Sequence, residues 1–188
     1  INSGRYEWGS EHRPNYMART IASNTMLVYD ENERFVTAGG DEEANNGPDG
    51  LLLSNDGGQM WPHPERTSLG DSRGTVWDTG DIIAFETGPW YSYACGDASR
   101  AYSAHKLKSF TRQFLHIQPE LFLIFDRVEA VRPEHRKYWL LHTVNEPDVR
   151  KREASVRERA GRLFVRTVFP ADSKLSKVGG RGNEFLVF

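Results

Sequence analysis

Eight short segments rich in β-branched and aromatic residues recur along this chain, most of them separated from the next by Gly, Pro, Asn or Asp. They are TMLVYD (25–30), GDIIAFET (80–87), WYSYACGD (90–97), SFTRQFLHI (109–117), LFLIFDRV (121–128), KYWLLHTV (137–144), RLFVRTVF (162–169) and EFLVF (184–188). Segments of this length and composition are strands, and their turn chemistry joins them as antiparallel neighbours. QPE at 118–120 sets a proline at a turn position between two of them and predicts a hairpin. LFLIF is apolar on both faces and is expected mid-sheet, with Leu121, Leu123, Phe125, Leu140 and Phe164 buried. KREASVRERAGR (151–162) has helical propensity but only Ala154, Val156 and Ala160 as apolar contacts, so it reads as a charged hairpin or strand. The expected fold is therefore all-β, an antiparallel β-sandwich in one domain spanning 1–188. The strand-like EFLVF at one end and an uncapped INSGRYEW at the other lead us to expect a domain truncated at both ends.

Composition narrows the partners. Lys and Arg number 24 against 26 Asp and Glu, a net charge of −2, so no global field recruits nucleic acid or an anionic membrane. A polyanion held locally remains compatible with this balance. No apolar run approaches the roughly 18 residues that a membrane-spanning helix needs. Cys95 is the single cysteine, which excludes an internal disulfide framework. The polar, glycine-rich stretches 38–50 and 62–75 read as loops.

Local motifs that would carry chemistry are mostly absent from the sequence. The six histidines form no H-x-H, H-x-x-x-H or H-E-x-x-H pattern. His142, within WLLHT, reads as a satisfied histidine of an apolar strand. SNDGGQ (54–59) has the glycines of a tight turn and too few acidic ligands for a calcium loop. Ser23, Ser99 and Ser103 lack a nucleophile-elbow setting, and nothing near Cys95 signals an activating base. Trp61 and Trp77, in or beside the loops, are the tryptophans best placed to stack on sugars, with core or loop-anchor packing the default reading for any single one.

RTIASNTMLVYDENERF, NDGGQ, GDIIAFE, YACGDASRAYS, FLIFDRV and WLLHT occur in this order over most of the chain. As an ordered set they resemble the β-sandwich part of the heparinase II/III-like polysaccharide lyases, closest to the heparinase II branch. The resemblance implies a supersandwich-like domain that follows a helical toroid domain in the intact protein. It also implies β-elimination on an acidic polysaccharide or oligosaccharide containing uronate, and a periplasmic or secreted location. Elimination needs the carboxylate neutralised, a base for the C5 proton and an acid for the leaving O4. In that family a zinc is held partly by the histidine of RTIAHNT, and the matching position here is Ser23. A neutral hydroxyl is a poor zinc donor, so no zinc is expected and no cofactor is implied. Asn24 matches the motif, and Arg19 and Gln59 offer guanidinium and amide groups for saccharide carboxylates and hydroxyls, so these three are the candidate substrate-binding residues. The expected partners are an acidic saccharide and the helical domain of the same protein, with neither nucleic acid nor membrane. The alternative is a non-catalytic carbohydrate-binding or structural β-sandwich module.

Overall fold

The structure, a computed structural model, describes residues 16–36, 52–59 and 79–183. The loops 38–50 and 62–75, Trp61, Trp77 and the segment EFLVF fall wholly or largely outside these residues. Among them the fold is all-β, with sheets built entirely from antiparallel pairs. The strands are β1 (Met26–Tyr29), β2 (Phe35–Val36), β3 (Leu52–Leu53), β4 (Asp81–Thr87), β5 (Tyr91–Asp97) and β6 (Leu107–Ile117). They continue with β7 (Leu121–Ala130), β8 (Arg136–Trp139), β9 (Asp148–Arg150), β10 (Glu153–Glu158) and β11 (Gly161–Arg166). The longest sheet runs β4-β5-β6-β7, β1 pairs with β8, β2 with β3, and β9 to β11 form a three-stranded meander.

Local chemistry accounts for the hairpins. With Gln118, Pro119 and Glu120 as the loop, Ile117 stands opposite Leu121, and the same register carries Arg112 to Asp126 and Phe110 to Val128. The segment 151–162 is strand and turn, as its sparse apolar content predicts. Lys151 and Arg159 adopt positive φ of 55° and 52° at the two tight turns of the meander, a conformation that non-glycine residues enter only at some cost.

The layers meet at one end of the long sheet. Met26 and Val28 of β1 pack on Leu107 and Phe110 of β6 together with Ala101 and Tyr102. The other side of β1 closes over Tyr16, Ile21, Ala22 and Leu27, with Tyr138 and Leu140 packed against them. Removing such apolar surface from water is the main stabilising term, about 25 cal/mol per Å².

Beyond that core the long sheet departs from expectation. Leu121, Leu123 and Phe125 are about half exposed (54%, 48% and 51%), Phe164 is 70% exposed, and Leu140 is only partly buried. Among the described residues LFLIF lies in β7, the last strand of its sheet, not in the middle. Because successive side chains point to opposite faces, an unbroken apolar run makes both faces of a strand apolar; it carries no information on which neighbour covers them. Register places Phe85, Phe114, Phe122 and Ile124 on one face and Leu121, Leu123 and Phe125 on the other. All seven are exposed.

β8 ends earlier than the apolar run predicts. Leu140 still donates its amide to the Thr25 carbonyl at 2.9 Å. At His142 the acceptor becomes the side chain of Asn24, at 2.7 Å. A side-chain acceptor has replaced the backbone ladder, which stops the strand.

Candidate functional site

The RTIASNT segment organises two polar nodes, one on each side of Ser23. A 3₁₀ turn over Thr20–Ala22 turns Arg19 inward. Its Nη2 donates to the Ser54 carbonyl at 2.6 Å and lies 2.9 Å from Asp56 Oδ1. Both side chains are almost wholly buried. Asp56 Oδ1 also accepts the Gly58 amide at 2.8 Å, while Thr20 Oγ1 accepts the amide of Gln59 at 2.7 Å. The glycines of SNDGGQ explain the close approach. Gly57 has φ +73°, and its carbonyl accepts the Val28 amide at 2.8 Å. A Cβ on Gly58 would stand 2.6 Å from Thr20 Cβ. Tight turn chemistry, legible in the sequence, here serves to strap the loop onto β1.

The same loop is held from behind by Lys106, which is fully buried. Its Nζ donates to the Gly58 carbonyl at 2.6 Å and pairs with the carboxylate of Glu33. Burial pushes Glu33 up and Lys106 down from their ordinary pKa values, and their mutual attraction opposes both shifts. His135 Nδ1 lies 3.1 Å from the Lys106 carbonyl, with Nε2 3.6 Å from Asp30. Tyr102 donates to the Met26 carbonyl at 2.6 Å, and burial raises its phenol to about 12.

Asn24 is the second node. Its carbonyl accepts Arg112 Nη1 at 2.8 Å. Arg112 meets Asp126 through both nitrogens of its fork, Nε to Oδ1 at 2.8 Å and Nη2 to Oδ2 at 2.7 Å, the bidentate geometry that makes such pairs strong. Asn24 Oδ1 accepts the backbone amide of His142 at 2.7 Å and faces its Nδ1 at 3.1 Å. An amide oxygen only accepts, so the imidazole carries its hydrogen on Nδ1. Burial holds His142 below its ordinary pKa, and the Ile21 carbonyl opposes this.

The four residues singled out in the sequence therefore have different surroundings. Arg19 is buried and ion-paired, Gln59 is exposed, Ser23 and Asn24 are half-buried, and Asn24 is the bonding centre. The amide of Ser23 donates to Thr20 O, and its carbonyl accepts the Thr25 amide. Among the described residues no three His, Cys, Asp or Glu side chains converge to hold a metal ion. The donor at Ser23 does not fit the zinc that the family resemblance implies, and no step is assigned to a metal. Sequence reading missed Arg112, Asp126, Lys106 and Glu33. The Arg112 to Asp126 pair follows from the QPE hairpin register once that loop is taken as three residues; nothing local signals that Lys106 reaches Glu33. No family model matches this chain, and no curated protein matches it.

Proposed function

We propose that this chain is the β-sandwich part of a heparinase II/III-like lyase that cleaves uronate-containing polysaccharides by β-elimination. In this reading it supplies framework and one wall of the saccharide cleft and works with a helical toroid domain. The observation that carries the reading is the convergence at RTIASNT: the motifs of the resemblance, up to 118 positions apart, are bonded to one another there. NDGGQ is tied to Arg19 and Thr20, and WLLHT to Asn24. Arg112 and Asp126 pin the backbone of Asn24 from the neighbouring sheet. The half-exposed apolar faces of the β4 to β7 sheet favour a domain that packs against more protein, because isolated soluble domains rarely leave such patches bare.

Each residue then has a positioning role. Asn24 orients the imidazole of His142 and sets its Nδ1–H tautomer, burial lowers its pKa, and Arg112 holds Asn24. Ser23 stands where a histidine would carry zinc, so the chain binds no stoichiometric zinc there. Acid, base and carboxylate clamp must be placed together for elimination, and partial sets lose orders of magnitude in rate.

The reading is tested by titrating the chain with heparan sulfate, other uronate polymers and a neutral glucan, while following the ultraviolet absorbance of the unsaturated uronate product. Expected are preferential binding of uronate polymers and no growth of absorbance from this chain alone. Equal or absent binding across the set sinks the saccharide reading. Absorbance generated by the chain and abolished by Asn24→Ala would place a complete site within these residues. One zinc per chain in dialysed protein, lost on substitution at Ser23, would overturn the account of that position.

A further inference from the structure

The meander β9 to β11 concentrates positive charge in a chain that is acidic overall. Residues 148–166 carry seven Lys and Arg against three Asp and Glu, a net of +4 within a total of −2, leaving −6 on all other residues. Register sorts these groups by face. Val149, Ala154, Val156, Leu163 and Val165 share one side. The opposite side presents three rows: Arg166, Glu153 and Arg150; then Phe164, Ser155 and Asp148; then Arg162 directly across from Arg157.

The last row is a conflict that folding alone does not call for. Like charges directly opposite on one face of an antiparallel pair are destabilising. Both arginines are exposed, and neither has a carboxylate partner among the described residues. Arg162 instead lies over the ring of Phe164, 4.8 Å from its centroid, and its Nη2 donates to Ser155 Oγ at 3.3 Å. Phe164 is thus an exposed aromatic ring between the Arg157–Arg162 row and a second row of net positive charge, whose Arg166 and Arg150 pair with Glu153 and Asp148; the two rows stand about 13 Å apart, four residues along a strand.

We infer that this face binds a linear anionic polysaccharide, with Arg157 and Arg162 pairing its carboxylates or sulfates and Phe164 stacking on the apolar face of a pyranose. The inference rests on the proposed uronate-polymer function and adds a binding surface on a different sheet from the Asn24 node. Anions that recur between sugar rings match cationic rows separated by an aromatic row on which a pyranose face can stack. Guanidinium suits both carboxylate and sulfate because its planar fork donates in pairs.

The test is affinity for a heparin octasaccharide, for its desulfated form and for a single-stranded oligonucleotide of equal charge, each measured against salt. Arg157→Gln with Arg162→Gln is expected to weaken octasaccharide binding tenfold or more and to flatten the salt dependence by between one and two counterions. Phe164→Ser is expected to weaken binding several-fold with the salt dependence unchanged. All three positions are exposed, and matched circular dichroism with cooperative melting at or above the wild-type temperature checks that the variants fold. Wild-type binding that the double variant leaves unchanged overturns this face while the lyase-wall reading stands. An oligonucleotide bound as tightly as the octasaccharide overturns the assignment to a saccharide. No wild-type binding to any uronate oligomer removes the proposed function itself, and this inference with it.

Discussion

Replacing Asp56 by asparagine asks whether Arg19 is a structural cation or one available to a ligand. Arg19 Nη2 and Asp56 Oδ1 are 2.9 Å apart, with side chains 2% and 0% exposed. Unit charges about 4 Å apart at an effective dielectric of 20 attract by about 4 kcal/mol. Removing one partner of a buried pair costs about 3–5 kcal/mol, because the other charge is left in a poorly solvated place. The substituted amide keeps an Oδ1 for the Gly58 amide and replaces only Oδ2, which has no hydrogen-bond partner, so the substitution isolates the charge. Asp56→Ala also gives up the Gly58 bond and should cost about 1 kcal/mol more. Urea unfolding should place Asp56→Asn about 3–5 kcal/mol below wild type, a fall in Tm of roughly 6–20 °C for a chain of this size. Arg19→Met with Asp56→Leu should recover much of that loss, since an apolar pair of similar volume replaces a buried ion pair at little cost. A loss below about 1 kcal/mol for Asp56→Asn, the range of a solvent-exposed pair, would refute the reasoning: Arg19 would then be well solvated and free to meet a substrate.

Three further outcomes follow from the same geometry. The folded-state pKa of His142 is lowered, so as pH falls through about 6.5 the unfolded chain takes up a proton that the folded chain refuses, and stability declines until the folded pKa is passed. His142→Gln should remove this part of the acid sensitivity in denaturant titrations run from neutral pH downward, and identical slopes for both proteins would contradict it. Gly58→Ala should destabilise by about 1–3 kcal/mol, read as a lower Cm, because its Cβ would stand 2.6 Å from that of Thr20. Arg157→Thr, which relieves the repulsion opposite Arg162, should raise stability by about 0.2–1 kcal/mol; a drop in Tm would show that Arg157 has a stabilising partner.

The strands and hairpins were legible because their causes are local. β-branched and aromatic runs make β4, β5, β6 and β7, turn residues end them, and a three-residue QPE loop sets a register that brings Arg112 to Asp126. The outward arginines of β10 and β11 also follow from alternation once their tight turn is placed. Tertiary structure alone decided that Arg19 is buried, since its partner Asp56 lies in a different segment and only the docking of SNDGGQ on β1 removes water from both. Asn24 meets His142 across 118 positions for the same reason. The misplacement of LFLIF is the complementary case. Its apolar side chains show that both faces of β7 favour cover, but strand order, which among the described residues places β7 at the sheet edge with Leu121, Leu123 and Phe125 exposed, depends on long-range pairing. Alternation along a strand records the environment each face favours; only the path of the rest of the chain determines what lies against it.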